Sequence, residues 1–350
     1  MILNELHLRD FRNYEKLDLT LHPELNILIG PNGAGKTNIL ESLLVLSNTR
    51  SFRCDHDREM IRKDAEYARI EAASNDERFR VLIQKSGKSL FYNGENVRKS
   101  SDYIGKLNVI LFKPDDLFLF DTSPKERRSV LDVEIGKVSK NYLKQLLEYH
   151  RLLQDKNALL KQEVINEALL DITEEVMLQR ILAIDREREE FFLFLNEKIA
   201  DAYKQLAGTE EEVSIVYKTC CDGTEEDIRT HFRKNREREK ILGFALYGPH
   251  KEDYSFQFEH FPASSYASQG QKRMIMIAFK YSLYEYIHEK TKRRPLVLLD
   301  DVLSELDQKN RERLFALLPR AQTILTGTDL QGIDLSREHR IFQVREGEVL

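Results

Sequence analysis

The residues with the clearest chemistry lie in Gly30-Pro31-Asn32-Gly33-Ala34-Gly35-Lys36-Thr37. Their spacing, G-x-x-x-x-G-K-[ST], is that of a phosphate-binding loop. Glycines there let successive backbone N–H groups converge on an anion at the start of a helix. Lys36 would meet the β- and γ-phosphates of a nucleoside triphosphate, and Thr37 would offer its hydroxyl to Mg2+. An ordinary glycine turn has the same composition, and context separates the two. Apolar Leu25, Ile27, Leu28 and Ile29 predict a buried strand before the loop, and the residues after it predict a helix.

Two further constellations stand near the other end of the chain. Asp300 and Asp301 close the apolar run "PLVLL", and α/β sheets bind ligands at the carboxyl ends of their strands. Beside a phosphate loop, the first acid would hold Mg2+ and the second would orient or deprotonate the attacking water. Alone, such a pair reads as an exposed turn. The segment "SQGQKR", Ser268 to Arg273, opens a helical pattern just before that strand. Ser268 and the N–H groups of Gly270 and Gln271 make either a second anion site or an ordinary capped helix. One nucleotide rarely needs two such grips from one subunit.

The elements that must carry these residues fall into three stretches. Residues 1–115 alternate short apolar runs with turn signals, and Asn93-Gly94 marks a hairpin. From "DTSPKERRSVLD" the spacing becomes helical, with Thr122 or Ser123 as cap and Pro124 in the first turn. Between Gly136 and Gly208 there is neither Gly nor Pro, and Phe192, Leu195, Ile199, Ala202 and Leu206 recur at helical spacing. One straight helix would extend about 100 Å, so an arm folded back on itself is expected. From Ile241 the short runs return: strands at "YSFQF", "RPLVLLDDV" and "QTILTGT", helices at "GQKRMIMIAFKYSLYEYIHEK" and "RERLFALL". That alternation predicts a parallel α/β sheet. The organisation expected is a nucleotide-binding domain split into residues 1–115 and 241–350, with a helical domain, 116–240, inserted between.

Bulk properties exclude several classes. The 350 residues are 41% hydrophobic and 32% charged, with a net charge of −5, so nucleic acid would have to be met by local patches. Candidates are Lys125, Arg127 and Arg128; Arg233, Lys234, Arg236 and Arg238; and Lys292 to Arg294, though any one cluster reads more readily as solvated surface. Cys54, Cys220 and Cys221 form no metal or disulfide pattern. No apolar run has the length of a membrane span, and Arg9 and Arg12 stand where a signal peptide would be apolar. A cytoplasmic protein with no membrane contact is expected.

Taken in order, "LHLRDFRNYEKLDLTLHPELNILIGPNGAGKTNILESL", "DTSPKERRSVLD", "GPHKEDY", "SQGQKR" and "LLDDVLSELD" resemble the RecF family of bacterial DNA replication and repair proteins, relatives of the SMC and ABC-type ATPases. The resemblance runs from Met1 to beyond Asp307. It implies an α/β, ABC-type P-loop ATPase head with an inserted helical domain, dimerising around ATP and Mg2+. Gly30 to Thr37 would bind nucleotide in one subunit, while Ser268, Gly270 and Gln271 would meet the γ-phosphate held by the other. Thr37 and Asp300 would be the metal residues, Asp301 and Lys36 the catalytic ones, and Ser304 to Asp307 a dimer-facing loop. Arg12 would lie near the phosphates, and His250 and Lys251 near the nucleotide or dimer interface, or else in a structural turn.

The same resemblance implies DNA as a partner, whether single-stranded, gapped or duplex, together with RecO- and RecR-type mediators. The processes implied are recombinational repair, replication-fork maintenance, recombinase loading and the SOS response. Asp301 is a methylene shorter than the glutamate usual in ABC ATPases, and "ILTGT" lacks a switch histidine, so slow hydrolysis is expected. "LNVILFKPDDL" offers no glutamine-loop residue. An ABC transporter subunit would carry its signature much nearer the P-loop, and a small-molecule P-loop kinase would have no use for "SQGQKR".

Overall fold

The computed structural model describes residues 1–221, 223–318 and 321–349. They form two compact units, Met1–Leu117 with Asp201–Glu210 and Gln269–Leu350, and Phe118–Ala200 with Glu211–Ser268.

The first unit sets one helix between two sheets. Its mainly parallel sheet runs in the order Glu348–Val349, His339–Arg345, Leu25–Ile29, Thr323–Gly327, Leu296–Leu299, Val109–Phe112. Only the first of these strands is antiparallel to its neighbour. Leu25–Ile29 and Leu296–Leu299 are buried at every position, as strands covered on both faces must be. The second sheet is antiparallel, ordered Tyr14–Thr20, Glu5–Phe11, Tyr67–Ala73, Arg78–Gln84, Gly87–Tyr92, Glu95–Val97. Tyr92 pairs with Glu95 across Asn93-Gly94, both at positive φ, so the expected hairpin is present. The P-loop helix, Lys36–Asn48, is buried nearly all round because Ile39, Leu40, Leu43 and Leu46 share one core with both sheets. The helix Gln269–Thr291 packs against Val109–Phe112. Among the described residues no helix is long and apolar enough to cross a membrane.

In the second unit the helical arm folds back as expected. Helix Lys140–Leu159 is followed by Glu167–Ala207, whose residues from Asp201 belong to the first unit. Ser139–Glu187, Glu148–Arg180 and Lys156–Glu174 contacts run in opposite directions along the two helices. Ser123 caps Pro124–Val138 through a reciprocal pair with Glu126, and Pro124 takes the first turn. The expected boundary at residue 240 is too early. "YSFQF" does not enter the parallel sheet: Asp253–Phe258 pairs antiparallel with Val213–Lys218, between it and Phe261–Pro262, and this holds the chain in the second unit to Ser268.

The "GPHKEDY" segment is the centre of this unit's buried polar network. Arg188, 1% exposed as a side chain, pairs with Glu252 and, at 2.7 Å, with Asp132, and donates to Tyr142 and the Pro249 carbonyl. Tyr217 donates to Glu252 at 2.5 Å, and His250 shares a 2.5 Å hydrogen bond with Tyr149. His250 and Lys251 thus belong to a structural turn.

Two members of this network titrate with opposite sign. Burial, then the charge of Glu252, lifts the Asp185 carboxyl to about 6 against the Thr219 hydroxyl, so its stabilisation is complete below the free carboxyl range and is lost as pH rises through about 6. Burial lowers His250 to about 4, so its stabilisation is complete above the free imidazole range and is lost as pH falls through about 4. Asp185→Asn should therefore raise stability at pH 8 by roughly 1–2 kcal/mol and leave a melting temperature that climbs with pH from about 4 to 6.5. Thermal melts across pH check this; an unaltered pH profile would contradict it.

Candidate functional site

The loop Gly30–Gly35 leaves the strand Leu25–Ile29 at the carboxyl end of the parallel sheet and enters the helix Lys36–Asn48. Gly33 (φ +82°) and Gly35 (φ +115°) occupy the left-handed region that favours glycine. A Cβ on Gly35 would also lie 2.7 Å from Asn13 Nδ2 and from the Tyr14 hydroxyl, whereas one on Gly33 would meet nothing within 4 Å. Asn13 closes the turn by donating to the Ala34 carbonyl at 3.3 Å and accepting from Asn38 at 2.6 Å. Lys36 Nζ is held within the loop, donating to the carbonyls of Gly30 at 2.6 Å and Pro31 at 2.9 Å.

The acids come to the same place because only Thr323–Gly327 lies between their strand, Leu296–Leu299, and the P-loop strand, Leu25–Ile29. In register, Leu299 lies beside Leu325, and Thr326 beside Leu28. Thr37 Oγ1 donates to Asp300 Oδ1 at 3.0 Å, and Thr326 Oγ1 donates to the same oxygen at 2.9 Å. Thr326 Oγ1 in turn accepts the Asp301 N–H at 2.9 Å. Asp301 has φ +51°, and Ser304 donates to its carbonyl at 2.7 Å. One threonine therefore sets the relation between the two acids.

Burial raises the Asp300 carboxyl above its ordinary range, with the Thr326 and Thr37 hydroxyls opposing and the charge of Asp301 adding. Burial lowers Lys36, against the charges of Asp301 and Asp300. Both shifts have the cause that a bound anion and cation would relieve: charge held away from water. The donor set at Thr37 and Asp300, two hard oxygens 3.0 Å apart, suits Mg2+.

The structure thus brings Gly30 to Thr37, Asp300 and Asp301 together. Gly270 and Gln271 lie in the first turn of Gln269–Thr291, immediately after Ser268, and a Cβ on Gly270 would meet nothing within 4 Å. Arg273, one turn on, pairs with Glu305 in the loop after Asp301, tying this helix to the acid-bearing strand. Asp307, ending "SELD", caps the next helix through the Asn310 N–H at 2.8 Å.

Arg12 stands next to Asn13, which donates to the P-loop at Ala34, and is held by partners within the chain. Its guanidinium forks onto Glu41 of the P-loop helix at 2.9 and 2.5 Å, with further donation to the Glu59 carbonyl and Cys54 Sγ. Glu41 is fully buried, so Arg12 holds the helix that follows the loop rather than facing it with free donors. Arg53 shares Glu41 with Arg12 at 3.5 Å and donates to Asn38 at 2.5 Å, and its charge favours the ionised form of Asp300. Thr326 and Arg53 are site residues that motif reading misses. The polar Thr326 inside "TILTG" was a usable signal for the first; Arg53, in an irregular loop, had none.

Most of the expected DNA-facing cations are occupied within the chain. Arg127 forks onto Asp253 at 2.7 and 2.8 Å, and Arg128 donates to the Glu252 carbonyl. Arg236 pairs with Asp171 and Glu174, Arg233 with Glu226, Lys292 with Glu289 and Arg293 with Glu77. Lys125, Lys234 and Arg238 are exposed.

The family model for the RecF/RecN/SMC N-terminal domain matches residues 2–331. The DNA replication and repair protein RecF of Staphylococcus carnosus is 34% identical over 369 aligned residues, covering 100% of both chains. That of Lachnoclostridium phytofermentans is 36% identical, covering 100% of this chain and 99% of its own. Among solved structures, the recombination mediator protein RecF with ATP, described as part of the RecFOR pathway, superposes with TM-score 0.91 at 28% identity over 99% of this chain and 96% of that one. An Smc head bound to the C-winged helix domain of ScpA shares the fold, with TM-score 0.58 at 17% identity over 100% and 98% of the chains.

Proposed function

We propose, from the premise that this chain belongs to the RecF family of DNA replication and repair proteins, that it is an ATP-driven DNA-binding switch. The observation that carries the reading is the hydrogen-bonded line from Thr37 through Asp300 to Thr326 and the Asp301 N–H, which joins a phosphate loop to two acids from the far end of the chain. In this reading Gly30 to Thr37 wraps the triphosphate, Lys36 meets its β- and γ-phosphates, and Thr37 with Asp300 holds Mg2+. Bound there, Mg2+ would neutralise charge on the phosphate oxygens during transfer. Asp301 orients or deprotonates the water, and Thr326 fixes the direction from which it does so.

Ser268, Gly270 and Gln271 grip the γ-phosphate held by a second copy, so ATP closes a homodimer. The closed dimer binds DNA, slow hydrolysis reopens it, and RecO- and RecR-type mediators act with it in recombinational repair. The relative solved with ATP and described within the RecFOR pathway supports the nucleotide and the pathway.

Ser268→Arg tests the composite site, because a bulky cation would fill the partner's γ-phosphate seat while leaving the P-loop alone. Light scattering should show a monomer with and without ATP, while ATP affinity stays within about threefold of wild type, below 1 kcal/mol. A variant that still dimerises on ATP would remove "SQGQKR" from the interface.

A further inference from the structure

The antiparallel sheet of the first unit has a solvent face that the nucleotide site leaves unused. Its inner face is apolar, with Leu6, Leu8, Ile70, Val81 and Leu90 in the core beside the P-loop helix. The outer face of such a sheet is ordinarily polar. Here it carries Tyr67, Leu82 and Phe91 interleaved with arginine. In register, Arg80 lies between Phe91 and Glu71, and Leu82 between Ser89 and Arg69. Tyr67 is 44% exposed, and the Arg80 guanidinium stands 5.5 Å from the Phe91 ring centre.

Tyr67, Arg69, Arg80, Leu82, Gln84 and Phe91 line one shallow depression of about 310 Å³. A second, of about 440 Å³, continues along Arg78, Arg80 and Phe91 towards Asn93 and Gly94. Arg9, Lys16, Arg69, Arg78 and Arg80 outnumber Glu5, Asp18 and Glu71 on this surface, a local cationic excess in a chain of net charge −5. Arg9 pairs with Asp18, and Glu71 bridges Arg69 and Arg80, which keeps the guanidinium groups spread across the face.

We propose that this face binds single-stranded nucleic acid, with bases stacked on Phe91 and Tyr67 and phosphates met by Arg69, Arg78 and Arg80. The proposal rests on the reading that this chain binds DNA and gives that reading a location. Unpaired bases offer π-faces to aromatic side chains on an open sheet, and cations between those side chains follow the backbone. A duplex hides its base faces, so Tyr67 and Phe91 would have nothing to stack on. A protein partner would favour an apolar centre depleted in charge, whereas arginine here lies beside each aromatic ring.

The chain contains no tryptophan, so Phe91→Trp installs its single indole on the face, excited selectively at the red edge beyond the 14 tyrosines. It is titrated with an oligothymidylate of about 20 nucleotides, longer than one ordinary single-strand site, and with a duplex of the same length, with and without ATP. Labelled DNA gives anisotropy isotherms for wild type and for Tyr67→Ala/Phe91→Ala. The expected result is saturable quenching by the single strand and none by the duplex. The double alanine variant should lose about 10- to 100-fold in single-strand affinity, with ATP binding and duplex affinity unchanged. Its salt slope should hold near −0.7 per phosphate neutralised, and Arg78→Glu should lower that slope.

Single strands that bind wild type yet leave the introduced indole's emission unmoved lie elsewhere, and the proposal fails. Equal quenching by duplex overturns the stacking assignment. Wild type that binds neither DNA, with or without ATP, overturns the DNA-binding reading itself, a distinct failure visible in the wild-type isotherms.

Discussion

ATP affinity is expected to fall at least about 100-fold in Lys36→Met, since hydrogen bonds from a charged donor contribute roughly 1.5–3 kcal/mol each and this ammonium would meet two phosphates. The fold should barely notice. Lys36 Nζ donates only to the carbonyls of Gly30 and Pro31, and Met fills the same buried space with an aliphatic side chain of similar length. Its neighbours Ile39, Leu40 and Leu43 would keep the helix in the core. Equilibrium binding of a fluorescent ATP analogue and a thermal melt make the two measurements. Near-normal affinity in a folded variant would end the phosphate assignment, while a collapsed melting temperature would make Lys36 a structural residue instead.

What could be read from sequence was what depends on near neighbours. The P-loop is one such feature, because strand, glycine turn and helix are contiguous. Ser123 with Glu126 and the Asn93-Gly94 hairpin are others. Asp300 and Asp301 were legible because an apolar run ending in acids marks a strand end. A polar Thr326 inside an apolar strand marks a residue of interest, but its role of linking the two acids arises only from the register of Thr323–Gly327 against strands distant in sequence. The same limit explains the domain boundary. The alternation in "YSFQF" marks a strand without saying which sheet it joins, and its partner, Val213–Lys218, lies just past the helical arm.

Charge shows the difference most sharply. Arg127 and Arg128 look like a basic patch in the chain, yet their partners, Asp253 and the Glu252 carbonyl, come from "GPHKEDY", far away in sequence. Arg12 likewise has no local sign that the buried Glu41 takes its fork. Conversely, Tyr67, Arg80 and Phe91 lie on three different strands, so only the folded sheet makes them one surface.

Asp301→Asn should separate binding from turnover. Asp300, Thr37 and the P-loop are untouched by the change, so Mg2+ and ATP should bind as in wild type. Asn keeps nearly the same volume and its backbone N–H, so the 2.9 Å bond to Thr326 should survive. The φ of +51° is also tolerated by Asn better than by most residues. The amide, however, cannot accept a proton from water or hold it with a full charge, so hydrolysis should fall by about 10²–10⁴, the usual contribution of a general base. If the γ-phosphate bridges Lys36 of one copy and Ser268 of the other, a site that cannot cleave it should keep the pair closed. ATP should then give a dimer that persists after dilution and releases DNA slowly, whereas wild type returns to monomer as ATP is consumed. Light scattering and phosphate release, followed together after dilution, make the measurement. Unchanged hydrolysis would remove Asp301 from the chemistry, and lost hydrolysis without a persistent dimer would break the link between cleavage and assembly.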